Sequence, residues 1–166
     1  LLGGLATTQY VVRAPQAWTV TTGAGVKVLI IDDGLRAHED LPAVPSGNCS
    51  GPDGCYDEGY NHGTEVAGII LARNNSIGTV GVAPGIAGAH TYLHNNQCNG
   101  LCTENTSYQI NQGIDRAMQV GARIVNMSME LPWDEANANS MAVAWNAGLV
   151  LVAAAGNIGG NAVVYP

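Results

Sequence analysis

Basic residues are scarce in this sequence, which has 6 lysines and arginines against 13 aspartates and glutamates and a formal net charge of −7. So few cations cannot neutralise a row of phosphates, which argues against a nucleic-acid partner. Long apolar runs are also missing, because the longest, over residues 147–155, is far shorter than the roughly 20 residues that cross a bilayer. The sequence therefore predicts neither nucleic-acid binding nor membrane insertion.

The cysteine pattern favours an oxidising compartment. Four cysteines fall into two local pairs, Cys49 with Cys55 and Cys98 with Cys102, each in a polar stretch. Their spacing is unlike that of a zinc knuckle, so disulfide-closed loops are favoured over a metal site, with the connectivity left open. The chain does not open with methionine, and we expect that a signal peptide or propeptide has been removed. Together these features predict a secreted or extracellular protein.

The hydrophobic pattern predicts an α/β fold. Apolar runs rich in β-branched residues occupy residues 26–32, 123–127 and 149–154, as in strands buried on both faces of a parallel sheet. Helical patterns lie between them, at residues 63–73, about 107–120 and about 135–146. This alternation predicts a parallel sheet with helices on both faces, in one domain or less. Reactive groups in such sheets gather beyond the carboxyl ends of the strands.

Three side chains in these positions form a candidate catalytic group. Asp32 closes the first strand, where an unpaired carboxylate would be costly, and His62 stands where a polar loop turns into a helix. Imidazole accepts protons near neutral pH, and a buried carboxylate would hold it in one tautomer. Asn157 follows the last strand and would offer its amide to a developing oxyanion. Alone, each has a structural explanation, as a solvated histidine, a capping aspartate or a turn asparagine. The combination favours catalysis.

Four segments resemble, in order, successive signatures of the subtilisin-like serine proteases. They are Ile31-Asp32-Asp33-Gly34, His62-Gly63-Thr64-Glu65-Val66-Ala67-Gly68, Asn74-Asn75-Ser76-Ile77-Gly78 and Ala154-Ala155-Gly156-Asn157. The resemblance implies a secreted serine endopeptidase in which Asp32 orients the base, His62 is general base and then acid, and Asn157 donates to the oxyanion. Residues 1–166 would form the N-terminal portion of one peptidase domain.

The same resemblance implies a substrate-binding segment. Ser128 would lie on a strand that pairs with the substrate peptide. Relatives commonly continue with Leu-Gly-Gly where this chain has Met129-Glu130-Leu131, so the entrance to the specificity pocket is expected to be bulkier and acidic. Asp33 resembles the second acid of the kexin and furin branch, which helps to receive a basic side chain at the P2 position. The predicted substrate-binding residues are Asp33, Asn61, Ser128, Met129 and Glu130.

A calcium site is also implied by the resemblance. The segment from Asn74 to Thr79 is similar to the family's strong calcium loop, and oxygen ligands in a turn suit Ca²⁺. The alternative is an ordinary Asn-Gly loop. The family's glutamine ligand near the N-terminus has no clear counterpart. The predicted ligand residues are Asp40, Arg73, Asn75, Ile77 and Thr79.

The family's nucleophile is missing from these 166 residues, which contain no Gly-Thr-Ser-Met-Ala segment. Ser128 is not predicted to replace it, because it belongs to the expected substrate-binding strand. We therefore expect the serine on a missing or separate C-terminal chain of the same protease, held by a core-like interface. The alternative is a catalytically inactive, calcium-stabilised binding or inhibitory module of the same fold.

Overall fold

The computed structural model describes residues 7–42, 62–93, 106–130 and 133–157. Its elements in chain order are α1 (Thr7–Val11), α2 (Ala14–Ala17), β1 (Val28–Asp32), α3 (His62–Leu71), β2 (Ala89–Leu93), α4 (Thr106–Val120), β3 (Ile124–Met127), α5 (Glu135–Asn146) and β4 (Val150–Ala153). The three predicted strands and three predicted helices are confirmed, with ends that differ by no more than two residues. The short helices α1 and α2 were not predicted, and β2 was not among the three predicted apolar strands.

The strands form a parallel sheet in the order β2-β1-β3-β4. Strand β1 lies between two neighbours, with Val28 opposite Ala89 on one side and Ile124 on the other. All five of its residues are buried, which is why its sequence reads as a continuous apolar run and not as an alternating one. Because the strands are parallel, their carboxyl ends meet at one edge of the sheet.

Both faces of the sheet carry helices, as predicted. Leu29 and Ile31 pack into a cluster on the face that carries α4 and α5, with Ile114 and Val125 among its members. Val28, Ile30 and the α3 residues Ala67 and Leu71 share the cluster on the opposite face. Alternate residues of β1 thus bury their side chains on opposite sides. Each such burial stabilises the fold by about 1.5–3 kcal/mol.

Strand β4 ends the described sheet and is open to solvent, whereas its apolar run predicts a strand buried on both faces. Val150 and Val152 are 51% and 46% exposed, and Val143 and Trp145 of the adjacent helix α5 are also exposed. Within the described ranges, only β3 pairs with β4. None of the helices in these ranges is long and apolar enough to cross a membrane.

Candidate active site

The carboxyl end of β1 and the start of α3 bring Asp32 and His62 together. The Nδ1 atom of His62 lies 2.8 Å from Oδ1 of Asp32. Only 2% of the Asp32 side chain is exposed, against 55% for His62. The imidazole is therefore held through one nitrogen by a buried carboxylate while much of the ring is open to a reactant. This is the arrangement that a general base needs.

Electrostatics in this pair favour a basic imidazole. The hydrogen bond to Asp32 raises the pKa of His62 above its ordinary value of 6.5, and the negative charges of Asp32, Asp33 and Glu65 act in the same direction. Burial raises the pKa of the Asp32 carboxyl, while its hydrogen bonds with His62 and the backbone N–H of Asp33 oppose that rise. The Oδ2 atom of Asp32 is buried without a partner among the described residues.

Asp33 fixes the start of helix α3 from a distance in sequence. Its Oδ2 accepts the backbone N–H of His62 at 3.0 Å, and its Oδ1 accepts that of Gly63 at 2.6 Å. A carboxylate here satisfies two N–H groups that a helix start leaves without intrahelical partners, and it complements the helix dipole. Sequence reasoning missed this role, because caps are recognised from residues next to the helix. The carboxylate of Asp33 is buried against α3. Its predicted contact with substrate stays a prediction.

Gly63 allows the close approach of α3 to the end of β1. A Cβ atom at this position would collide with the backbone carbonyl oxygen of Gly34 and lie 3.0 Å from both Cβ of Asp32 and Oδ1 of Asp33. Thr64 adds a further link, since its Oγ1 accepts the backbone N–H of Arg36 at 3.0 Å. The position of His62 is thus set by the backbone around it as well as by its own side chain.

The predicted substrate-binding segment follows β3 at the same edge of the sheet. Ser128 Oγ accepts a hydrogen bond from the Asn126 side chain at 2.9 Å. Met129 is half-buried against the cluster on the α4 and α5 face. Asn157 lies just beyond β4, and its Nδ2 donates to Oε1 of Glu130 at 3.2 Å. The structure therefore joins the predicted oxyanion donor to a predicted substrate-binding residue, a contact that the sequence did not suggest.

Asp40 and the loop after α3 form a second polar cluster. Asp40 is 3% exposed, and its Oδ2 accepts the backbone N–H of Thr79 at 2.8 Å. Its Oδ1 is buried without a partner among the described residues. The Asn75 side chain accepts the N–H of Ile77 at 2.7 Å, and the N–H of Arg73 is bonded to the carbonyl of Asp40. Hydrogen bonds thus connect the five predicted ligand residues in one group, the Asp40 cluster.

Several predicted residues lie outside the described ranges. Asn61, predicted to bind substrate, and the four cysteines predicted to form disulfides, Cys49, Cys55, Cys98 and Cys102, are among them. In the described part of the chain, no group of three or more His, Cys, Asp or Glu side chains could hold a metal ion. A cation at the Asp40 cluster would accordingly depend on amide and carbonyl oxygens as well as one carboxylate.

The residues of this site lie within a segment that matches a known protein family. The model of the Subtilase family, Peptidase_S8, matches residues 23–166. The chain belongs to the subtilase family. This match includes Asp32, His62 and Asn157, the three residues predicted to act in catalysis.

Individual relatives of this subtilase chain are proteases from several bacteria. It is 34% identical over 160 residues to Thermitase of Thermoactinomyces vulgaris, a match that covers 93% of the chain and 56% of the relative. It is 34% identical over 157 residues to Subtilisin Savinase of Lederbergia lenta, again covering 93% and 56%. Subtilisin DY of Bacillus licheniformis is 38% identical over 151 residues, covering 87% and 53%. The subtilase chain thus spans about half the length of these relatives.

Solved structures agree in fold. The MycP3 protease from the type VII (ESX-3) secretion system superposes with a TM-score of 0.76 at 28% identity, covering 93% of this chain and 47% of that one. MycP1 with its N-terminal propeptide removed gives 0.72 at 26% identity, covering 92% and 49%. The predicted α/β fold of the subtilisin type is confirmed by these neighbours, and here too the subtilase chain spans about half the length of each protein that it matches.

Proposed function

We propose that this chain is the N-terminal part of a secreted serine endopeptidase that hydrolyses peptide bonds in proteins. The observation that carries the proposal is the 2.8 Å contact between His62 Nδ1 and buried Asp32 Oδ1, with the imidazole left largely open. His62 takes the proton of a serine hydroxyl as general base and later returns it to the leaving amine as general acid. Asp32 holds the imidazole in the required tautomer and stabilises its protonated form.

Asn157 completes the part of the site that this chain would supply. Its amide, placed beyond the end of β4, donates to the oxyanion that forms when the serine attacks the substrate carbonyl. The segment from Ser128 to Glu130 lies beyond the neighbouring strand β3 and pairs with the substrate backbone as an added strand. Asp33 and Asn61 remain candidates for contacts with substrate side chains.

The nucleophile belongs, in this proposal, to a serine-bearing C-terminal chain of the same protease. Supporting this, the outer edge of β4 and the exposed Val150, Val152 and Trp145 form an apolar surface, and such surfaces mark interaction sites. A cavity of about 540 Å³ beside α3, lined by Ile69 and Leu41 among others, offers a second surface for it. We expect the interface with that chain to be core-like, of the obligate kind that buries about 2,000 Å² or more.

A calcium ion is proposed to stabilise the fold at the Asp40 cluster. Asp40 fits a cation because its Oδ1 is buried and has no partner among the described residues, a costly state for a carboxylate unless something positive pairs with it. The side-chain oxygens of Asp40 and Asn75 and the carbonyl oxygens of Arg73, Ile77 and Thr79 would hold the ion. Bound Ca²⁺ would supply structural stabilisation at this site.

Labelling of the full-length protein with a fluorophosphonate tests the catalytic proposal. We expect the wild type to react at one serine and to cleave a protein substrate. We expect His62→Ala and Asp32→Asn to lower kcat by about 10⁴ or more, as triad substitutions do. Asp115→Asn, an exposed aspartate on α4, is the matched control and should keep full activity. A full-length protein that neither labels nor cleaves would favour the alternative function, an inactive calcium-stabilised binding or inhibitory module.

A further inference from the structure

Glu130 contacts the side chain proposed to bind the oxyanion. Its Oε1 accepts a hydrogen bond from Asn157 Nδ2 at 3.2 Å, linking the segments that follow β3 and β4. An ionised carboxylate is a stronger hydrogen-bond acceptor than a neutral peptide carbonyl. A substrate that binds here must therefore compete with Glu130 for the amide, or share it through the second Nδ2 hydrogen.

The charge of Glu130 also opposes the reaction. The oxyanion accepts a hydrogen bond from the same amide group, so the two negative charges would lie only a few ångströms apart. Like charges at such a separation disfavour each other, and the penalty grows when substrate excludes water from the site. Glu130 in its ionised, unpaired form therefore weakens the stabilisation that Asn157 offers to the oxyanion.

A positive charge on the substrate would remove both obstacles. Asn157 would bind the carbonyl oxygen of the residue whose peptide bond is cleaved, so a long side chain on that residue begins close to the amide and to Glu130. An arginine or lysine there can pair with the carboxylate, draw it from Asn157 and neutralise its charge beside the oxyanion.

We propose that Glu130 is a specificity-determining residue that occupies the oxyanion-binding amide of Asn157 until a basic side chain of the substrate pairs with it. The inference rests on the proposed protease function. Recognition of a basic residue is then coupled to catalysis, because the pairing improves the transition state as well as the binding of the substrate. The expected signature is a substrate charge that changes kcat and not only KM.

Matched peptides test this coupling in the full-length protein. One peptide carries arginine at the residue with the scissile carbonyl, and the other carries citrulline, which has nearly the same shape without the charge. We expect the wild type to prefer arginine in kcat/KM by about tenfold or more, the size of one charge-assisted contact. Glu130→Gln should raise kcat for the citrulline peptide and reduce the preference to about twofold or less, since the neutral amide no longer opposes the oxyanion.

Two controls keep the result interpretable. Asp115→Asn makes the same change in net charge on α4 and should leave the preference unchanged. Glu130→Gln removes the charge but keeps an acceptor oxygen, whereas Glu130→Ala removes the contact altogether and should reduce the preference at least as far, so the test does not depend on one variant. Melting temperatures within about 2 °C of wild type, a shift of less than ~1 kcal/mol, would show that both variants fold.

The outcomes separate this inference from the proposed function. An active wild type whose arginine preference survives both Glu130 substitutions overturns the inference alone. So does an equal loss of kcat on both peptides, because Glu130 would then only position the Asn157 amide. A wild type that neither labels with a fluorophosphonate nor cleaves either peptide overturns the proposed function and this inference with it.

Discussion

Asp33 should stabilise helix α3 and fix its position, because its carboxylate accepts hydrogen bonds from the first two backbone N–H groups of the helix. Replacing it with alanine removes the acceptor of two backbone N–H groups, those of His62 and Gly63, in a buried position. Hydrogen bonds to a charged group contribute about 1.5–3 kcal/mol each, and loss of a helix cap costs about 0.5–2 kcal/mol. These contributions overlap, so we expect Asp33→Ala to lower the free energy of unfolding by about 2–4 kcal/mol.

The same substitution should also slow catalysis. His62 is the first residue of α3, so freeing its backbone N–H displaces the imidazole from Asp32 and from the substrate. A misplacement of about 1 Å can cost a factor of 10² in rate. Asp33→Asn keeps one oxygen acceptor and should show a smaller loss of both stability and kcat. The assay is thermal unfolding of the inhibitor-blocked full-length protein, which avoids autolysis, together with kcat and KM of the unblocked enzyme.

Asp134 provides the matched control, because it caps α5 with a single bond from the N–H of Asn137 at 3.1 Å. We expect Asp134→Ala to cost about 1 kcal/mol and to leave kcat close to wild type. The reasoning fails if Asp33→Ala leaves the melting temperature unchanged. It also fails if Asp33→Ala changes only the preference for a basic residue at the P2 position, which would restore the substrate contact predicted from the sequence.

Three further predictions follow from the same contacts. The hydrogen bond to Asp32 raises the pKa of His62, and the base must be neutral to accept a proton. In a pH–rate profile, kcat/KM should therefore fall as the pH drops through an inflection above 6.5, and Asp32→Asn should move that inflection downward. Gly63→Ala should lower the melting temperature and kcat together, since a Cβ atom there would collide with the Gly34 carbonyl; an unchanged enzyme would show that α3 can shift freely. Excess chelator should lower the melting temperature of the wild type but not that of Asp40→Asn, since calcium at 100 times its Kd would stabilise the fold by about 2.7 kcal/mol. Identical wild-type melting curves with and without chelator would exclude the site.

The fold was largely predictable because burial leaves a strong mark on sequence. The apolar runs of β1 and β3 reflect buried and half-buried strands of a parallel sheet, and the helices between the strands show the matching period. Strand β4 has a similar apolar run, although three of its four residues are exposed in the described chain. Strand β2 reads Ala-His-Thr-Tyr-Leu, with polar residues at two of its five positions, so no continuous run marks it. Helices α1 and α2 have five and four residues, too few for a periodic pattern to stand out.

The candidate site was predictable in its residues and less so in its contacts. Asp32, His62 and Asn157 lie at or just beyond the ends of strands or at the start of a helix, where reactive groups of a parallel sheet are expected. Alternation along a strand would turn the side chain of Asp33 away from the histidine if β1 continued, but β1 ends at Asp32 and the rule does not apply beyond it. Asp33 instead caps a helix that begins 29 residues later, and no local sequence pattern reports a contact of that range.

The two halves of the proposed catalytic machinery are positioned by different means. The proposed general base is fixed within this chain, because Asp32 holds the side chain of His62 and Asp33 holds its backbone N–H. The oxyanion donor is less constrained, since Asn157 lies in an exposed segment just beyond β4 and its described side-chain partner is the carboxylate of Glu130. A base whose side chain and backbone are both bonded to buried carboxylates can keep its geometry with or without substrate, whereas an exposed amide can exchange partners. Regulation by the substrate therefore belongs at Asn157 and not at His62, which is why the charge next to that amide is the most informative place to change.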